Sequence, residues 1–266
     1  MEQSKLQRLR PYLLSTASVV QRVLLPFGLR ASRRVNGRKI AFDPATDIGM
    51  QLLATGSFES DAITQCATYI RPESWVLDIG ANIGVHAVQF ADLAPQGKVI
   101  CLEPARSTFG LLLRNVGSLA NVIPLNAALA ETNGIQDFFV AADNAYSGLK
   151  DTRRKRVVRQ ESVACFRADD LLLPLLSGHR VDLIKIDVEG LEMQVLRGMA
   201  ALIEKYRPVI FCEIFGGAHS NPDPQATVAY GVSLGYDAFV LSEGRLVSAT
   251  VHDDRLYNYF FVPARR

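Results

Sequence analysis

From Trp75 onward the chain alternates short apolar runs with amphipathic stretches, and no other feature restricts its fold as strongly. This spacing predicts strands at 75–79, 98–102, 121–129, 181–187 and 208–214, separated by helices at 83–94, 105–117, 190–204 and 224–234. A helix between two strands returns the chain to the same end of the sheet, so such strands pair in parallel and helices cover both faces. The 266 residues, 48% of them hydrophobic, are enough for one α/β domain of this kind. We assign it to residues 51–266 and treat residues 1–50 as an extension.

The first strand enters the loop "DIGANIG", residues 78–84, which is shaped for a nucleotide. A dinucleotide loop of the G-x-G-x-x-G kind requires glycines at 80, 82 and 85, whereas this chain has Gly80, Asn82 and Val85. Asp78 also opposes a pyrophosphate, because its carboxylate puts negative charge where a dianion would sit. S-adenosylmethionine suits the loop better. It brings an ammonium for an acidic strand end, a carboxylate for the following helix N-terminus, and no phosphate. Glu103, ending the second strand before Pro104, stands where an acid can accept both ribose hydroxyls.

The extension differs in character. Residues 1–40 hold nine Lys/Arg against the single acid Glu2, while the remainder carries 20 basic and 26 acidic side chains. Leu6, Leu9, Leu13, Ala17, Val20, Leu24 and Phe27 recur at helical spacing, predicting an amphipathic helix from near Pro11 to Pro26, and Asn36-Gly37 predicts a β-hairpin. A basic amphipathic arm suits an anionic membrane surface or a charged glycan, or is a solvated face. No basic motif interleaved with aromatics follows, so nucleic acid is not expected as a partner. The apolar run at 12–29 is interrupted by Gln21 and Arg22 and lacks a cleavage pattern, so neither a signal peptide nor a membrane span is expected. Cys66, Cys101, Cys165 and Cys212 stand far apart, as free buried thiols in a reducing cytosol would. The expected location is cytoplasmic, with peripheral contact at the inner membrane face through residues 1–40.

Eight segments together resemble the FkbM family of S-adenosylmethionine-dependent methyltransferases: "GSFES", "WVLDIGANIGVHAVQFA", "VICLEP", "NAALAETNG", "ADDLL", "VDLIKIDVEGLEMQVLRGM", "RPVIFCEI" and "YNYFFVP". They run in order over residues 55–263 and leave residues 1–50 uncovered. The resemblance implies a Rossmann-like three-layer α/β sandwich, with a mostly parallel seven-stranded sheet whose one antiparallel strand is "YNYFFV". It implies O-methylation of a hydroxyl on a sugar, glycolipid, polysaccharide or glycosylated natural product. By that likeness Gly80, Ala81, Asn82, Gly84, Glu103 and Pro104 are cofactor contacts beside Asp78, and Asn126 with Ala127 lie at the adenine. The acceptor region, 135–165, is where family members differ.

"IKIDVEG" ends the fourth of these strands, so Lys185, Asp187 and Glu189 alternate with apolar residues at the end of the sheet where ligands bind. Methyl transfer moves positive charge off sulfur and leaves a proton to be removed, so Asp187 is the leading candidate for a catalytic carboxylate. Lys185 either pairs with these acids or acts on substrate. Glu213 ends the fifth strand and faces the same cleft, and His219 follows on a loop where a solvated role competes with a catalytic one. Glu189 is also read as favouring the next helix, and Glu192 as a surface or helix-face acid. A divalent metal between Asp187 and Glu213 lacks a third placed acid, and His86 and His252 have no partner at metal spacing, so no metal is assigned. Two other functions compete: a non-catalytic module that binds the cofactor as a scaffold, and a nicotinamide oxidoreductase.

Overall fold

The computed structural model describes residues 30–264. The amphipathic helix expected before Pro26 lies outside them. The chain divides into two compact units, Met1–Phe58 and Glu59–Arg266. In the first, β1 (Ala31–Val35) and β2 (Arg38–Phe42) form the expected antiparallel hairpin, with Asn36 and Gly37 both at positive φ as a tight right-twisted turn requires. Helix α1 (Asp47–Thr55), which the periodicity did not predict, is capped by the Thr46 hydroxyl, which accepts from the Gly49 amide at 3.1 Å, and by Gly56 in the left-handed region.

The second unit begins with α2 (Ser60–Ala67), then β3 (Trp75–Ile79), α3 (Val85–Leu93), β4 (Lys98–Leu102), α4 (Arg106–Val116) and β5 (Val122–Leu125). After an inserted segment follow α5 (Ala168–Leu176), β9 (Val181–Ile186), α6 (Glu192–Gly198), α7 (Ala200–Tyr206) and β10 (Val209–Glu213). The chain ends with α8 (Pro224–Ser233), β11 (Tyr236–Ser242), β12 (Arg245–Ser248) and β13 (Asn258–Pro263). The strands lie in the order β12-β11-β13-β10-β9-β3-β4-β5. Strands β10, β9, β3, β4 and β5 are parallel, and β13, the "YNYFFV" segment, runs antiparallel between β10 and β11. The expected seven strands are therefore present in a Rossmann-like α/β fold. The sheet has an eighth, β12, because Glu243 and Gly244 both take positive φ and fold the chain back on β11.

Alternation along the strands sorts the two faces. Leu77, Ile79, Ile184 and Ile186 join the core under α5 to α8, whereas Asp78 and Lys185, which fall between them, turn to the opposite face.

Two expected elements divide. The segment 121–129 breaks at Asn126 and Ala127: β5 stays in the main sheet and β6 (Ala128–Leu129) leaves it for a second sheet. The Asn126 side-chain amide holds that exit by donating to the carbonyls of Glu103 and Pro104, both at 2.9 Å. The helix expected at 190–204 is interrupted at Met199. Gly198 there lies so close to Ala130 that a Cβ would meet its carbonyl oxygen at 2.5 Å.

The second sheet, in the order β6-β8-β7, is the inserted segment: β7 (Gly134–Ala141) and β8 (Val157–Phe166) form a long antiparallel hairpin. At ten residues β8 is longer than the short strand expected there. A 3₁₀ turn at Asn144–Tyr146 lies in the connection between them.

Candidate functional site

The carboxyl ends of β3, β4 and β9 converge on a cleft with about 580 Å³ of free space, its mouth included. Gly80 and Asn82 from the loop after β3 line it, with Glu103 and Pro104 after β4, Ala127 at the chain's exit from the sheet, and Asp187 after β9. Gly80 has φ +76°, and a Cβ there would lie 1.8 Å from the Asp187 carbonyl oxygen. Only glycine lets these two segments approach so closely.

Glu103 is buried, and its carboxylate accepts from the backbone amides of Ala105 at 2.9 Å and Asn82 at 3.1 Å. Burial pushes its pKa up to about 7 against the lowering effect of those two amides. The other expected cofactor residues, Asp78, Ala81, Gly84 and Asn126, are not among those that line the cleft. Ala81 is buried and donates its amide to the Leu102 carbonyl at 2.8 Å. A Cβ on Gly84 would meet Leu112 of α4 at 2.5 Å, so this glycine allows helix packing. Asn126 is exposed and donates to the Glu103 and Pro104 carbonyls.

Asp78 is fully buried beneath the loop, and Lys185 is its register partner on β9. The Lys185 ammonium, 3% exposed, lies 3.6 Å from the Asp78 carboxylate and donates to the Gly80 carbonyl at 2.9 Å and to Asp187 at 3.1 Å. Burial works against this charge, but Asp187, Asp78 and Glu59 more than offset it and hold the Lys185 pKa above its ordinary range. Glu59, at the start of α2, also meets His86 of α3 at 3.2 Å. Lys185 thus pairs with acids, one of the two roles expected of it.

Beyond Asp187, Glu189 and Gly190 both take positive φ and turn the chain sharply into α6. A second, smaller cavity opens there, with about 220 Å³ of free space, its mouth included, lined by Asp187, Glu189, Gly190, Glu192, Glu213, Phe215 and Ser220. Asp187 and Glu189 line both cavities. Burial, with the Asp187 charge next, pushes Glu189 up to about 8, and holds Glu213 well above the usual carboxylate range. Glu192, expected as a surface or helix-face acid, starts α6 but is 1% exposed, its carboxylate turned back to accept from the Gly190 amide. His219 is exposed and lines neither cavity. Among the described residues no three His, Cys, Asp or Glu side chains are grouped to hold a metal ion. The four cysteines are free and buried, as expected.

The inserted segment supplies site residues that sequence reasoning left unnamed. Asn144, Ala145, Ser147, Gly148 and Leu149 form one side of the first cleft, and the Asn144 side chain hydrogen-bonds Asn82. Arg154 pairs with Glu189 at 2.8 Å and lies 4.4 Å above the rings of both Tyr146 and Phe215. The signal available in the sequence was the turn-rich "DNAYSG" before a basic run.

An open α/β sheet of this strand order, with a glycine loop after one strand and an acid after the next, is a Rossmann-like methyltransferase fold. Residues 78–237 match the Methyltransferase FkbM domain, and the chain belongs to that family. It is 30% identical over 148 residues to Methyltransferase 1 of Beauveria bassiana, covering 48% of this chain and 59% of that one. It is 28% identical over 153 residues to the 2-O-methyltransferase NoeI of Sinorhizobium fredii, covering 52% and 62%. The hexuronic acid methyltransferase AglP of Haloferax volcanii is 27% identical over 170 residues, covering 63% and 65%. The chain therefore spans less than two thirds of each of these relatives. The crystal structure of the FkbM methyltransferase from Methylobacillus flagellatus KT superposes with a TM-score of 0.49 at 15% identity, covering 72% of this chain and 44% of that one. Among the described residues no helix is long and apolar enough to cross a membrane.

Proposed function

We propose that the chain is an S-adenosylmethionine-dependent O-methyltransferase whose acceptor is a hydroxyl of a sugar-bearing molecule. One observation carries this reading: Asp187 stands at the junction of two cavities, fixed by Lys185, which also holds the glycine loop through the Gly80 carbonyl. The residues present suit the cofactor. Glu103 has a carboxylate oriented by two amides at the cleft wall, and the loop at Gly80 leaves no room for a side chain. Glu103 would accept the ribose hydroxyls, Ala127 and the apolar wall would flank the base, and Asn82 would be steadied by Asn144. When bound, S-adenosylmethionine supplies an electrophilic methyl group on a sulfonium.

Asp187 would accept the proton that the acceptor oxygen loses as that oxygen takes the methyl group, whose bond to sulfur breaks and leaves S-adenosylhomocysteine. Lys185 keeps that carboxylate oriented without occupying its open side. Glu213, whose pKa burial holds well above the usual carboxylate range, is suited in its neutral form to donate a hydrogen bond to the acceptor and leaves the role of base to Asp187. Sugar as the acceptor class is supported by the relatives named for a 2-O-methyl transfer and for hexuronic acid.

Calorimetry with S-adenosylhomocysteine and with NAD, followed by labelled-methyl transfer to methyl glycosides of hexoses and hexuronates, tests this reading. Binding of the first ligand alone and label in a glycoside methyl ether are expected. Binding of NAD, or cofactor binding with no transfer to any glycoside, would overturn it.

A further inference from the structure

The second cavity has no assigned purpose, and its wall contains a group at odds with its surroundings. Glu192 is 1% exposed; its Oε1 accepts from the Gly190 amide at 2.8 Å, while its Oε2 has no hydrogen-bond partner among the described residues. A buried carboxyl oxygen left unpaired costs free energy, and native folds avoid one unless something else satisfies it. Here the geometry around it is fixed. A Cβ on Gly190 would lie 2.5 Å from the Ser220 carbonyl carbon, so the turn that aims Glu192 inward is held by direct backbone contact with the loop after β10.

We propose that this cavity is the acceptor subsite, in which Glu192 Oε2 and Glu213 bind a sugar hydroxyl adjacent to the one that Asp187 serves. The proposal rests on the reading of the acceptor given above. Three features support it. The cavity shares Asp187 and Glu189 with the cofactor cleft, so these two side chains border both spaces. Phe215 gives it one apolar wall, as the C–H face of a sugar ring requires, and Ser220 adds a hydroxyl.

Protonation also favours a neutral ligand. Of the four carboxyl groups, Asp187 is paired with Lys185 and Glu189 with Arg154, and among the described residues Glu192 and Glu213 have no ion-pair partner. Burial pushes Glu192 up to about 7 and holds Glu213 well above the carboxylate range. A protonated carboxyl offers one donor and one acceptor, which is the complement of a hydroxyl. Glu192 is a positioning residue in this scheme.

The test uses the full chain saturated with S-adenosylhomocysteine and measures binding of methyl hexosides, methyl hexuronates and a methyl 2-amino-2-deoxyhexoside by saturation-transfer NMR. Glu192→Met is expected to weaken the best neutral glycoside by about tenfold or more, with S-adenosylhomocysteine affinity unchanged. Glu192→Gln, whose amide can accept from Gly190 and donate into the cavity, is expected to recover most of that loss. Should Glu192→Met not fold, Ser220→Leu, which fills the cavity from the opposite loop, carries the same expectation.

Equal glycoside binding in wild type and in the folded cavity variant would overturn the subsite and leave the methyltransferase reading standing. Cofactor binding with no glycoside bound to wild type would overturn the sugar acceptor and the subsite together. Preference for the aminoglycoside, lost in Glu192→Gln, would replace the hydroxyl with an ammonium and overturn the proposal.

Discussion

Gly80 and Asp187 meet backbone to backbone: the Asp187 amide donates to the Ile79 carbonyl at 3.0 Å, and its own carbonyl oxygen occupies the space where a Cβ on Gly80 would be. The glycine loop and the segment bearing the proposed base are thus packed as one unit.

Gly80→Ala should therefore damage both. A Cβ 1.8 Å from a backbone oxygen cannot be relieved by a rotamer change, and the positive φ adds strain. We expect a loss of about 2–4 kcal/mol in chemical denaturation and weaker S-adenosylhomocysteine binding in calorimetry. Wild-type values in both would show that the loop is not held in this way.

Glu103→Ala removes a carboxylate at the cleft wall and leaves the buried Ala105 amide without its acceptor, so a modest loss of stability should accompany the loss of affinity. We expect S-adenosylhomocysteine to bind more weakly by about 1.5–3 kcal/mol, roughly ten- to a hundredfold, in calorimetry. Unchanged affinity would remove Glu103 from the cofactor site.

Lys185→Met and Asp187→Asn should separate structure from chemistry. The first leaves the buried Asp78 carboxylate without its cation and should cost about 3–5 kcal/mol of stability, part of it recovered by adding Asp78→Leu. The second keeps the shape of the side chain and should lower turnover by about 10²- to 10⁴-fold with little change in denaturation midpoint. A stable Lys185→Met protein, or an Asp187→Asn protein with full turnover, would reverse these assignments.

Glu192 gives a pH dependence of known sign. Its folded pKa, near 7 because of burial, lies above the ordinary value of 4.5. Its contribution is complete below about pH 4.5 and is lost as pH rises through about 7. Glu192→Gln should therefore lose less stability than wild type between pH 5 and 8, by on the order of 2 kcal/mol, in urea titrations at the two pH values. Parallel losses in both proteins would mean that Glu192 is ionised in the folded state throughout.

The cleft floor is legible in the sequence because its residues are tied to strand ends. Gly80, Glu103 and Asp187 each follow a periodic apolar run, so order and spacing locate them. Glu192 is misread as a surface acid for the same reason. Helical periodicity does not register the turn at Glu189 and Gly190 that faces it inward. Asn144 and Arg154 escape altogether, since they reach the site through a connection whose contacts are with Asn82, Glu189 and Phe215, residues distant in sequence. Glu243-Gly244 makes a hairpin turn without the asparagine or aspartate that usually marks one, which hides β12.

The second sheet leaves the main one at Asn126 and Ala127, beside the cofactor cleft, and β8 leads directly into α5 beneath the same sheet. Its points of departure and return both belong to the scaffold, while the connection between β7 and β8 carries the Asn144 that meets Asn82 and the Arg154 that meets Glu189. One excursion of the chain thus closes a side of the cofactor cleft and touches the rim of the second cavity as well. An exchange of residues 134–157 should therefore alter methyl-donor binding and acceptor choice together, and the two traits would be inherited as one.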